Sequence, residues 1–217
     1  MLRTSATETL ALAFWNLFAS RTFASGFDDT SSATFVAASG VKKRTYSNVK
    51  ADSFVITGQW GSVIGCQAVF LAPGIPALTD MTPSDYTSTT DGTAPLNFDA
   101  ASFGGITGNV YGFEVSYSNN HLPDAPLNGT KTLNSYDAGI ITAGLSLRLK
   151  EHNTANVPFT DNSSVSVSLA GSATRLFTLT SVSQNNPNDL DVSPGQLYQT
   201  VQALCLGSAS NPPLVIT

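Results

Sequence analysis

The sequence predicts an all-β fold: an antiparallel β-sandwich, read as a jelly roll, with a short N-terminal α-helix. Three observations predict it. From about residue 30 onward, apolar residues recur with a period of two, as in 111–117, 141–149 and 165–169, the mark of half-buried strands. Turn residues punctuate these runs and no helical pattern separates them, so the strands pair antiparallel. Charged residues are only 12% of the 217, about half the usual share; Ser, Thr, Asn and Gly take their place.

The elements follow in order. Residues 6–20 carry the one helical pattern: Leu10, Phe14, Leu17 and Phe18 fall at i, i+4, i+7 and i+8, opposite a stripe of Ser5, Thr9, Asn16 and Ser20. With Trp15 added, the helix is apolar around most of its circumference and wants burial on two sides. Leu10, Phe14, Trp15, Leu17 and Phe18 are therefore the expected assembly contact. The apolar stretch is too short to span a bilayer, and Glu8 with a loose Thr22-Phe23-Ala24 site argues against a cleaved leader. Residues 1–30 are read as helix and arm, and 31–217 as one β-domain.

Strands are expected near 33–38, 43–48, 53–58, 63–72, 111–117, 141–149, 165–169, 174–182 and 197–206. Tyr111, Phe113, Val115 and Tyr117 are placed on one face, as are Ile141, Ala143, Leu145, Leu147 and Leu149. Turns are expected at Pro73-Gly74, Asp91-Gly92, Asn128-Gly129, Asn185 to Asp191 and Pro194-Gly195. The polar stretch 79–104 reads as one extended loop. No fixed-period repeat is visible.

A chain of this size buries roughly 70% of its unfolded surface and needs no staples. Its net charge of −5 and pI near 4.7 argue against holding nucleic acid through the overall field. Cys66 and Cys205 each sit in an apolar run, as buried free thiols or as one long-range disulfide.

Catalytic chemistry is thinly supplied, and no enzyme is predicted. His121 and His152 read as solvated surface histidines, and Glu151 precedes His152 directly, so the two point to opposite faces of a strand. No Gly-x-Ser-x-Gly setting occurs. Asn186, Asp189 and Asp191 cluster hard oxygen ligands of the kind calcium prefers, although Asx residues also build turns without metal; no other cofactor is implied. Lys42, Lys43 and Arg44 form the one basic cluster. It reads either as a phosphate contact for nucleic acid or as lysines that blunt a strand edge. The Asn128 and Asn162 glycosylation patterns are as frequent as chance predicts in so Asn- and Ser-rich a chain.

One set of segments resembles a family. Ser53 to Trp60 (SFVITGQW), Val63 to Gly74 (VIGCQAVFLAPG), Leu78 to Pro83 (LTDMTP), Phe103-Gly104-Gly105 and Val201 to Gly207 (VQALCLG) resemble the jelly-roll coat proteins of small icosahedral RNA viruses, tymovirus-like coats above all. The resemblance implies a homo-oligomeric shell around a genome, located in the virion. Many such coats carry a basic N-terminal arm for packaged nucleic acid; this chain has an apolar helix there instead. The alternative expectation is an extracellular adhesin, filament subunit or carbohydrate-binding module, with Trp60 and Tyr86 at its rim.

Overall fold

A computed structural model of the chain describes residues 32–82, 96–106, 109–124, 135–137, 139–150, 159–170, 174–193, 196–206 and 212–217. The predicted N-terminal helix, with Leu10, Phe14, Trp15, Leu17 and Phe18, lies outside these residues, as do Tyr86, Glu151 and His152. The described chain is all-β. Its strands are β1 (Ser32–Ser39), β2 (Lys42–Gln59), β3 (Gly65–Leu71), β4 (Thr79–Asp80), β5 (Ala101–Gly104), β6 (Val110–Ser118), β7 (Leu122–Asp124), β8 (Ser135–Asp137), β9 (Thr142–Lys150), β10 (Ser163–Ala170), β11 (Thr174–Ser193), β12 (Gln196–Cys205) and β13 (Leu214–Ile216); one 3-10 turn spans Phe98–Ala100.

One curled antiparallel sheet runs in the order β1-β2-β6-β9-β12-β11-β10-β5, with β3 and β4 added on β2 and β13 on β11. The run β9-β12-β11-β10 is a Greek key: three hairpin-linked strands, with β9 returning beside the last of them. Two long strands anchor the curl. Lys50 of β2 pairs with Ser32 on one edge and Leu71 on the other, and Phe54 pairs with both Ala68 and Tyr117. One edge of β2 thus carries β1 and then β6, while the other carries β3.

The core shows that the sheet folds back on itself. β2 and β11 are four strand steps apart, about 19 Å in a flat sheet at about 4.8 Å per step. Yet the Phe54 and Phe177 rings lie 6.2 Å apart. Likewise Phe103 of β5, at one end of the sheet, and Phe113 of β6, five strand steps away, are 5.4 Å apart, edge to face. The expected alternation supplies this core: Phe113, Val115 and Tyr117, then Ala143 to Leu149, then Val165, Val167 and Leu169, are buried at every second position. Ser, Gly, Glu114 and Arg148 fill the intervening positions, so each strand has one face that loses water and one that keeps it.

Three expectations are corrected. The predicted strands 43–48 and 53–58 are one continuous strand, β2, bent by irregular pairing near Asn48 and Asp52 instead of broken. The turn expected at Asn185 to Asp191 lies inside β11, where two register shifts absorb Asn185 and the Pro187-Asn188 pair; a proline, which has no N–H to give the ladder, is tolerated at such a bulge. The loop expected over 79–104 begins as β4 and ends as the 3-10 turn and β5, where Phe98 is buried.

Candidate functional site

The most exposed large aromatic among the described residues is Trp60, at 67%. Its position follows from local sequence. The turn Gln59-Trp60-Gly61-Ser62 closes with Ser62 N donating to Gln59 O at 3.0 Å, and Gly61 stands at φ +77°. That is the third position of a type II turn, where glycine alone is unstrained. Trp60 occupies the outward second position, and its N–H donates to Tyr111 O at 2.9 Å.

Tyr111 itself is displaced from the face predicted for it. Val110 pairs with Leu149 and Gly112 with Arg148, so Tyr111 is the extra residue of a β-bulge, a device that re-aims side chains. It leaves the buried row of Phe113, Val115 and Tyr117 and joins an outer row. Its ring lies 6.3 Å from Trp60 and 5.8 Å, edge to face, from Tyr198; the Arg148 guanidinium caps Tyr198 at 4.2 Å. The cation is thereby held by a ring face.

Two hollows flank this row. One, of about 390 Å³, lies on the outer face of β2, β6, β9 and β12 against Thr57, Gln59, Glu114, Ser146, Arg148 and Thr200. The other, of about 550 Å³, opens at the seam between β5 and β6 and is lined by Trp60, Phe98, Asp99, Phe103, Asn109 and Tyr111 among others. Both volumes fall in the range of small-ligand sites.

A second constellation is buried. Asp52 is the unpaired residue where β2 bulges against β3. Its carboxylate accepts from His121 N at 3.0 Å and lies 3.2 Å from His121 Nδ1. Asn119 N donates to Asp52 O at 2.7 Å, Asn119 Nδ2 to Ala51 O, and Tyr117 OH to Asn119 Oδ1, both at 2.8 Å. The His121 ring meets Tyr136 edge to face at 6.3 Å, and Tyr136 OH donates to Ala72 O at 2.6 Å. His121, expected in solvent, has a fully buried side chain. The cluster pins the 119–124 segment and β8 to the main sheet, since buried polar groups must find partners. Loss of water raises the Tyr136 phenol above its usual range.

The other predicted site residues fall elsewhere. Asn186, Asp189 and Asp191 sit in β11 opposite Gln202, Thr200 and Tyr198, on a strand instead of the loop expected for calcium; among the described residues no three His, Cys, Asp or Glu side chains gather around a metal position. Lys42 is paired with Asp80 and Arg44 Nη1 donates to Pro76 O at 2.8 Å, so the 76–80 segment covers part of the basic cluster; Lys43 pairs through its backbone with Thr79. Both cysteines are free. No helix among the described residues is long and apolar enough to cross a membrane.

Sequence reasoning named Trp60 but missed Tyr111, Tyr198 and Arg148 as its neighbours. The signal for Arg148 was present, since it alternates with Leu147 and Leu149 of the core; Tyr198 stands beside the polar Gln199, which hides the alternation. Nothing in the sequence marks the bulge that turns Tyr111. Compared with known proteins, the chain matches no family model and no curated sequence.

Proposed function

We propose that this chain is a structural, self-assembling protein, the subunit of a homo-oligomeric shell of the viral-coat kind. In this reading the curled sheet is the body of a jelly-roll-like sandwich, and its task is enclosure, with no catalytic step and no cofactor. The observation that carries the proposal is a set of exposed aliphatic side chains on the segments that flank β2. Ile75 is 84% and Ile140 78% exposed, and Val36, Val41, Leu78 and Leu122 are exposed with them. Hydrogen bonds tie these segments down: Met81 N donates to Val41 O, Arg44 reaches Pro76, Tyr136 reaches Ala72, and Asn120 Nδ2 donates to Ile140 O at 2.6 Å. Aliphatic surface on a charge-poor chain favours contact with like surfaces, because few ions must lose water when two copies meet.

Light scattering and negative-stain microscopy of the purified protein test this. Closed particles are expected, and Ile75→Asp with Ile140→Asp should reduce them to free subunits. Deleting residues 1–24 should leave the β-domain folded and impair assembly. A monodisperse monomer at high concentration defeats the proposal. The location expected is the virion, with packaged nucleic acid a secondary partner at most, given the net charge of −5. A second reading, an extracellular glycan-binding or adhesive module, is favoured by the exposed aromatic row at Trp60.

A further inference from the structure

We propose that the seam cleft beside Trp60 is a binding site for a neutral carbohydrate. The cleft offers what a sugar ring needs: Trp60 is open to solvent, and the Tyr111 ring, 6.3 Å away and tilted by 55°, forms a second apolar wall beside it. The apolar C–H faces of a pyranose stack on such rings, while its hydroxyls require polar partners at the edges. The cleft provides these in the exposed Asp99 carboxylate and the exposed Asn109 amide, above a floor of Phe98 and Phe103. The main chain of the site is preformed: the turn and the bond from the Trp60 backbone N–H to Tyr111 O hold it in place, so little backbone freedom is lost on binding.

The charges select the ligand class. Asp99 at the mouth and a net charge of −5 repel sialic and uronic acids and the phosphates of nucleic acid. Stacking sites for single-stranded nucleic acid pair their aromatic rings with a positive groove; here the cation of the row, Arg148, is stacked on Tyr198. A hollow of about 550 Å³ suits a few sugar rings. The site lies at the β5–β6 seam and not among the exposed aliphatic side chains, so it stands whether or not the chain builds shells.

The test uses the full chain on an array of neutral and sialylated glycans, followed by titration of the best neutral glycan. Selective binding of neutral glycans is expected, weakened at least tenfold by Trp60→Ala and weakened also by Asp99→Ala, with melting temperatures unchanged. In Trp15→Phe, which leaves Trp60 as the one tryptophan, that glycan should shift the emission spectrum. The inference is overturned if no neutral glycan binds, if sialylated glycans are preferred, or if Trp60→Ala binds as the parent does. It is equally overturned if Trp60→Ala alters particle size while leaving glycan binding intact, which would make the row a subunit contact.

Discussion

Asp52 and Tyr111 owe their roles to the same device, a single extra residue in an otherwise regular ladder. In each case the bulge frees a side chain from the in-out alternation and aims it at a partner on another segment. Asp52 accepts from the His121 N–H, so Asp52→Ala, which leaves that donor without its acceptor, should cost about 1–3 kcal/mol. Denaturant melts check this, and His121→Ala should add little further loss in the double variant. Gly58 makes the opposite point about space: a Cβ there would overlap the Phe113 ring. Gly58→Ala should therefore destabilise by about 1–3 kcal/mol through overpacking, visible as a lower melting temperature. His121's burial was illegible because its sequence setting, Asn119-Asn120-His121-Leu122-Pro123, looks like any polar loop. Only the carboxylate supplied by a distant strand makes an interior position tolerable for it.

The strands with strict alternation were legible in advance. β9 and β10 alternate Leu or Val with Ser, Gly or Arg, and the structure buries every second one. What escaped were elements whose local chemistry contradicts their state. β5 (Ala101–Gly104) is too short and small to show a period, and it forms because β10 offers an edge to Ser102 and Phe103. The distal half of β11 contains Asn, Asp and Pro, all turn formers, and is a strand because β12 pairs with it across the bulges. Tertiary pairing overrode local preference there. The hairpin β1–β2 shows the converse: Gly40 at φ +60° is what its two-residue turn demands. Because Asn186, Asp189 and Asp191 lie on a paired strand and not on a loop, excess calcium or chelator should leave the melting temperature unchanged. A calcium-dependent rise of several degrees would support the metal reading.

At the scale of the whole molecule, the curl converts one sheet into a closed core that contains Cys205 and has Cys66 at its margin. Burial pushes the Cys66 thiol from 9.0 up to about 11 and that of Cys205 to about 12. The thiolate, the reactive form, is therefore scarce near neutrality; iodoacetamide at pH 8 should label both slowly in the native protein and quickly in denaturant. The same shift sets a pH dependence. The unfolded chain releases these protons near pH 9 while the folded chain keeps them, so this contribution is whole below pH 9 and is lost as pH rises towards 11–12. Urea midpoints measured at pH 8 and pH 10.5 should fall, and fall less in the double Cys→Ala variant. The class of fold was readable at this scale because composition and period agree along most of the chain. The curl was not, since it depends on which strands share the edges of β2 and β11.

The contact of Phe54 with Phe177 also has a temporal side. The two residues are 123 positions apart in a 217-residue chain, so on the ribosome the early strand waits, half-exposed, until most of the polypeptide has emerged. Topologies of this kind fold slowly, on a scale of milliseconds to seconds, and their waiting intermediates are prone to aggregate. Yield in cells should accordingly respond to translation speed and chaperone supply more than to any single surface substitution.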